Sequence, residues 1–262
     1  MQVNLREMNA AAEPDLNQRL FWRNAPKGRK PVMRQTWRQL LFLHWVVDPG
    51  MLAETLPEGI HLDLFEGKAY LGVVPFYMRN IRPRGLPPFP GLSNFLELNV
   101  RTYVHDESGD PGVWFLSLDA NNPIACATAR SLFQLPYYNA KMQSTETGWV
   151  DYKAQRIGKQ EAATYRYRGT GEATLAEPGT LNFFLLERYL LFACKPGSGK
   201  IMRGQVHHQP YRLHKAEVEE WSAAPVAWNG MPSPAGYPDH LCQADDVNVE
   251  IYGLEAAGKV HP

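Results

Sequence analysis

Along Leu96–His105 side chains alternate, with Thr102 as the polar member of the otherwise apolar face. Glu97, Asn99, Arg101, Tyr103 and His105 fall on one face of an extended strand, and Leu98, Val100, Thr102 and Val104 on the other, because successive side chains point to opposite faces. A carboxylate, a guanidinium and a phenol on one face are the groups that acid–base chemistry and anion binding use. Arginine in particular matches a carboxylate through two parallel hydrogen bonds. Glu97 and Arg101 are four residues apart, about 13 Å along an extended chain, so they need not pair with each other. An inward guanidinium must meet an acid, from the protein or from a ligand, and Asp119 is the other acid to check. On an open sheet this face would be solvated; in a closed barrel it would line the interior.

Other constellations carry less. Lys195-Pro196-Gly197-Ser198-Gly199-Lys200 imitates a phosphate loop, but Cys194 stands where the spacing needs glycine and Ile201 where it needs serine or threonine. No long helix follows to present its N-terminus, so a hairpin turn is expected. His207 and His208 are adjacent on a predicted strand and face opposite sides, so they cannot hold one ion together, and His214 does not complete a ligand set. One of the pair should be buried and hydrogen-bonded, the other exposed. The three cysteines, Cys126, Cys194 and Cys242, are far apart and form no C-x-x-C pair. No metal site, cofactor or disulfide framework is therefore expected, and a reducing cytoplasmic setting fits. There is no G-x-S-x-G elbow, and the order and spacing of His44, Ser117 and Asp119 carry no triad signal.

The 262 residues hold 27 basic and 27 acidic side chains, a net charge of zero, which argues against a dedicated nucleic-acid binder. No apolar run approaches the ~18 residues that would span a bilayer. Charges interrupt the first thirty residues, so no signal peptide is expected there.

The elements that must position these residues read mostly as strands. Residues 1–31 are expected to form an arm outside the core, with a short helix over Asp15–Trp22; residues 32–262 are expected to form one domain. Strands are predicted over Trp37–Val47, Lys68–Met78, Phe95–His105, Val113–Asp119, Tyr137–Gln143, Gly148–Ile157, Glu161–Arg168, Ile201–His208, Leu213–Trp221 and Val247–Leu254. Asn122-Pro123 is a cap followed by a first-turn proline, and a helix rich in small residues should run to Phe133. A short helix is expected over Met51–Thr55, and Leu181–Phe192 can begin as helix and continue as strand. Proline-rich loops should cover 82–91 and 224–238.

Trp37, Phe42-x-His44-Trp45, Leu56-Pro57-x-Gly59, Val74-Pro75-Phe76, Phe95-x-Glu97-x-Asn99-Val100-Arg101-x-Tyr103-Val104, Trp114-Phe115-x-Ser117-Leu118-Asp119, Ala129-Arg130, Pro136-Tyr137-Tyr138 and Glu187-Arg188-Tyr189 occur in that order. Together, over Met33–Leu254, they resemble the YqjF-like family of uncharacterised bacterial proteins (domain of unknown function 2071), itself distantly similar to acetoacetate decarboxylase. The resemblance implies an α+β fold that is mainly antiparallel β, a double-cone barrel with a few short helices and an internal pocket.

The decarboxylase works through a lysine Schiff base, with a lysine pair following a proline after a helix. The matching stretch here is Leu135-Pro136-Tyr137-Tyr138, without either lysine, and a phenol cannot form an imine. Lys141, on the same strand face as Tyr137, is the candidate for a displaced amine. The resemblance also places a pocket carboxylate near Glu97. Glu97, Tyr137 and Lys141 are the candidate catalytic residues; His44, Arg101, Tyr103, Ser117, Asp119 and Arg130 are the candidate substrate-binding residues. The expected partner is a small-molecule ligand, a carboxylate; neither nucleic acid nor membrane is expected, and a homo-oligomer stays open. Two functions follow. One is binding of a small organic acid without Schiff-base chemistry. The other is acid–base catalysis, lyase-like and of decarboxylase or aldolase/dehydratase type, on a small keto or hydroxy acid.

Overall fold

Gln39 divides the long apolar run that begins at Trp37. Its backbone takes a left-handed φ of 53°, which ends one strand and starts another in a new direction. In the computed structural model, which describes residues 13–194 and 197–258, these two strands are β1 (Met33–Arg38) and β2 (Leu40–Val47). The remaining strands are β3 (Ile60–Leu62), β4 (Ala69–Pro83), β5 (Phe95–Asp106), β6 (Pro111–Ala120), β7 (Tyr137–Glu146), β8 (Val150–Arg156), β9 (Ala163–Leu175), β10 (Leu190–Cys194), β11 (Ile201–His208), β12 (Arg212–Glu220), β13 (His240–Ala244), β14 (Val247–Ile251) and β15 (Glu255–Ala256). Five short helices join them: α1 (Leu16–Trp22), α2 (Pro49–Ala53), α3 (Pro123–Phe133), α4 (Leu181–Leu186) and α5 (Ala224–Trp228).

Strand pairing closes the sheet on itself twice. β4, β5 and β6 form a shared wall. On one side, β1, β14, β11 and β10 complete a closed circuit of seven strands with that wall. On the other, β7, β8, β9, β12, β13 and β2 complete a circuit of nine. This is the β-rich, mainly antiparallel α+β architecture that the resemblance implied, and closure leaves few sheet edges to protect. Two contacts of β6 are parallel, to β7 and to β10. The first follows from the α3 crossover, which parallel neighbours require.

β4 is long because it serves both circuits. Its first half pairs with β2 and its second with β1. Pro75 lies where the partner changes, so its missing N–H removes no ladder bond on that side. β5 then distributes its side chains by parity. Phe95 and Tyr103 belong to one apolar core, and Leu96, Leu98 and Val100 to the other.

Some expectations need correction. Trp22 of the expected arm is 4% exposed, its indole donates to Asp110 and its ring belongs to an apolar cluster with Ile60, Tyr189 and Phe192, so the arm contributes a side chain to the core. Residues 1–12 of that arm and 195–196 of the expected hairpin turn lie outside the described residues. α5 lies inside the expected 224–238 loop, and β3 and β13 were not anticipated.

Candidate functional site

Inside the seven-strand circuit is a cavity of about 300 Å³. Its walls come from β1, β4, β5, β6, β10 and β11, and α3 covers it with Ile124, Ala125, Thr128, Ala129 and Phe133. The small residues of α3 permit that close approach, and Asn122 starts the helix by accepting from the Ala125 N–H. Apolar side chains dominate the lining, among them Trp37, Phe76, Phe115 and Leu118. Glu97 and Arg101 both line it from β5, as their shared face requires.

Arg101 lies opposite Gly72 of β4. A Cβ at position 72 would stand 3.0 Å from His44 Cδ2 and 3.4 Å from Arg101 Cγ, so glycine makes the room both side chains use. The guanidinium stacks over Phe42 and Tyr103, 5.3 and 5.6 Å from the ring centroids. Its Nε and Nη2 are buried and have no hydrogen-bond partner. Those two nitrogens form one edge of the guanidinium, the edge that grips a carboxylate bidentately.

Arg188, also in the lining, is held from behind. Its Nη1 donates to Asp63 and its Nε to the Phe184 carbonyl, while Nη2 is buried without a partner. Arg188 stands over the same Tyr103 ring at 5.1 Å. Burial opposes ionisation of Asp63, but the guanidiniums of Arg188 and Arg19 together hold its carboxyl below the usual range. Three further lining groups have a buried, unpartnered polar atom: Gln35 Oε1, Trp37 Nε1 and Asn99 Oδ1. Buried polar atoms are rarely left unpaired, and a group of them around one cavity is what a polar ligand head would satisfy.

Beneath Arg101 runs a buried chain of hydrogen bonds. Tyr103 hydroxyl and His44 Nε2 are 2.6 Å apart, His44 Nδ1 and His240 Nδ1 2.9 Å, and His240 Nε2 and Asn182 Oδ1 2.6 Å. The Asn182 oxygen only accepts, so His240 carries its proton on Nε2. His44 then donates from Nδ1, and the Tyr103 hydroxyl donates to His44 Nε2. Burial keeps both rings neutral, pushing His240 down to about 4 and His44 well below its ordinary value.

The acid of the cavity lining is Glu97. Tyr137 donates to its Oε2 at 2.9 Å. Burial pushes the Glu97 carboxyl up to about 8, against the lowering effect of the Tyr137 bond, and nearby Asp119 adds to the rise. Arg101 is not among the charges that act on it. Glu97 is thus mostly protonated at neutral pH, a neutral acid in an apolar wall.

The other candidates from the sequence lie elsewhere. Lys141 is exposed on β7, outside the lining. Ser117 is buried and accepts from Asn229 Nδ2 at 3.0 Å. Asp119 is taken by Arg156 in a bidentate pair of 2.6 and 2.8 Å, so it is not the acid that meets Arg101. Arg130 is exposed and donates to the Tyr137 carbonyl, bracing the strand that carries the phenol. His44 and Tyr103 support Arg101 from below and are not part of the lining. Arg188 was missed as a site residue, although Glu187-Arg188 inside the apolar run Leu181–Phe192 was a signal, since buried charges demand partners. His208 is buried and bonded to the Gln209 carbonyl, whereas His207 is half-buried. Among the described residues no group of three or more His, Cys, Asp or Glu could hold a metal ion, and no helix is long and apolar enough to cross a membrane.

Comparison with known proteins agrees with this architecture. Residues 34–248 match the model of the DUF2071 family, described as an uncharacterized conserved protein. The uncharacterized protein YqjF of Bacillus subtilis (strain 168) is 40% identical over 219 residues, 82% of this chain and 89% of that one. Among solved structures, acetoacetate decarboxylase from Legionella pneumophila superposes with a TM-score of 0.59 at 13% identity, covering 95% of this chain and 97% of that one. The enduracididine biosynthesis enzyme MppR, complexed with pyruvate, gives 0.59 at 11% identity, covering 89% and 92%. An acetoacetate decarboxylase-like enzyme from Sphingomonas wittichii RW1 gives 0.57 at 14%, covering 88% and 95%. At these identities the likeness shows the fold alone.

Proposed function

The chain belongs to the DUF2071 family of uncharacterized conserved proteins, and from that premise we propose that it binds an organic carboxylate inside the seven-strand circuit without Schiff-base chemistry. The observation that carries this reading is Arg101, whose bidentate edge is buried in the cavity wall with no protein acceptor. Asp119 and Glu97, the acids the sequence offered, are engaged by Arg156 and Tyr137. A ligand carboxylate supplies the acceptor, and Arg188 Nη2 and Asn99 supply further polar contacts. A structural neighbour described as complexed with pyruvate, itself a carboxylate, supports the reading. Where that neighbourhood would need an amine, Tyr137 lines the wall and Lys141 faces outward.

Titration calorimetry with carboxylic acids at pH 7 tests the reading. Arg101→Lys keeps the charge and loses the planar fork, so it should weaken binding at least tenfold. Unchanged affinity in that variant overturns the assignment.

A second reading rests on Glu97. A carboxyl held near a pKa of about 8 beside Tyr137 is suited to general acid–base work at neutral pH, on a small keto or hydroxy acid. Exchange of substrate C–H protons with deuterated water, followed by NMR, measures it directly. Exchange that persists in Glu97→Gln would rule this group out as the acid–base residue.

A further inference from the structure

We propose that the acid bound at Arg101 is a monocarboxylate with an apolar body of about seven to ten carbons, entering head first past Phe89, Leu92 and Ile124. The inference rests on the carboxylate reading above and names its substrate class.

Size comes first. An apolar cavity of about 150 Å³ takes one benzene ring. A cavity of about 300 Å³ therefore has room for roughly twice that number of non-hydrogen atoms, more than a three- or four-carbon keto acid supplies. A short acid held at Arg101 would leave the apolar wall of Phe76, Phe115 and Leu118 without a partner. An alkyl or aryl body covers it.

The entrance is apolar too. Phe89, Leu92 and Ile124 line the cavity and are also 44%, 40% and 59% exposed, so the cavity opens between the proline-rich loop and α3. Arg101 Nε and Nη2 are buried, whereas these three rim residues are exposed. A head-first carboxylate leaves its tail along the apolar rim.

One carboxylate is accommodated and a second is not. Arg101 and Arg188 stand over the same Tyr103 ring; the acid of the lining is Glu97, protonated and partnered by a phenol, and neither guanidinium is among the charges that act on it. A second anionic group placed there would be buried without a counter-charge, which is costly. The cavity therefore selects against dicarboxylates of similar length.

The test is calorimetry on the full chain at pH 7 with butyrate, hexanoate, octanoate, octanedioate and 1-octanol. Each buried methylene should tighten binding roughly fourfold, so octanoate, four methylenes longer, should exceed butyrate by roughly two-hundredfold. Octanedioate and 1-octanol should each bind at least tenfold more weakly than octanoate. Ala129→Phe fills the apolar stretch under α3, and should weaken octanoate by a larger factor than butyrate. Arg101→Met should reduce octanoate to the level of 1-octanol. A flat chain-length series, or octanedioate equal to octanoate, overturns this inference and leaves the carboxylate site standing. If 1-octanol binds as tightly as octanoate, the carboxylate reading itself falls. The chain-length series uses the native chain, so it decides the matter even if a variant fails to fold.

Discussion

A carboxyl that remains protonated near neutrality reverses the usual dependence of stability on pH. Glu97 has its folded pKa raised from 4.5 to about 8, chiefly by burial. Between those values the folded chain holds a proton that the unfolded chain has released, so stability falls as pH rises across that window, by up to about 1.4 kcal/mol per pH unit. Glu97→Gln should abolish that slope while still accepting from the Tyr137 hydroxyl. Urea unfolding at pH 5, 6.5 and 8 measures it, and parallel profiles for the two proteins would sink the claim. Lys141 allows an equally simple check. With its amine in solvent, the protein mixed with pyruvate and borohydride should show no added mass, and an adduct on Lys141 would restore a Schiff-base role. That Glu97 and Arg101 share a face was legible from alternation along one strand, and that this face turns inward followed from the family resemblance. The fates of Ser117 and Asp119 were not, because their partners Asn229 and Arg156 come from distant elements and only the tertiary fold pairs them.

At the level of elements, α1 shows why a polar segment can be structural. It is only 7 residues long, begins with a capping box at Asp15 and Gln18, and shows a single buried side chain, Trp22. Nothing in that local pattern predicts docking. Its partners lie 44 to 183 residues away: Asp63 for Arg19, Asp110 for the Trp22 indole, Gln205 for the Trp22 carbonyl. Through Asp63 the helix also reaches the cavity, since the same carboxylate holds Arg188. Trp22→Ala should destabilise the fold by about 3–5 kcal/mol, as large buried aromatics do. Deleting residues 1–31 should cost at least as much and weaken ligand binding besides. A truncated chain with the native unfolding midpoint would show α1 to be dispensable. The same distance effect hid β13 and α5, which lie in or beside a proline-rich stretch and gain their order from β2 and the second core. β4 was legible only as far as Met78, because nothing local shows that β1 returns to pair with its far half.

Across the whole molecule, the shared wall divides two interiors with different jobs. The nine-strand circuit is filled by side chains such as Tyr152, Tyr165 and Tyr167, whose hydroxyls all find acceptors. The seven-strand circuit keeps a cavity with unpartnered nitrogens in its wall. One interior thus provides rigidity, and the other carries the energetic cost of a binding site. Arg101 should reveal that division. A buried guanidinium edge without an acceptor costs on the order of 1–3 kcal/mol, offset only partly by stacking on Phe42 and Tyr103. Arg101→Met keeps the packing and removes the unmet donors, so without ligand it should melt above the native protein, by roughly 2–4 °C for each kcal/mol recovered. A ligand reverses the order. Octanoate at about one hundred times its dissociation constant should stabilise the native chain by ~2.7 kcal/mol and the variant, which binds it at least tenfold more weakly, by about 1.4 kcal/mol at most. Calorimetric melting of both proteins with and without octanoate reads all four states. If the ligand-free variant melts below the native protein, Arg101 serves the architecture and not a ligand.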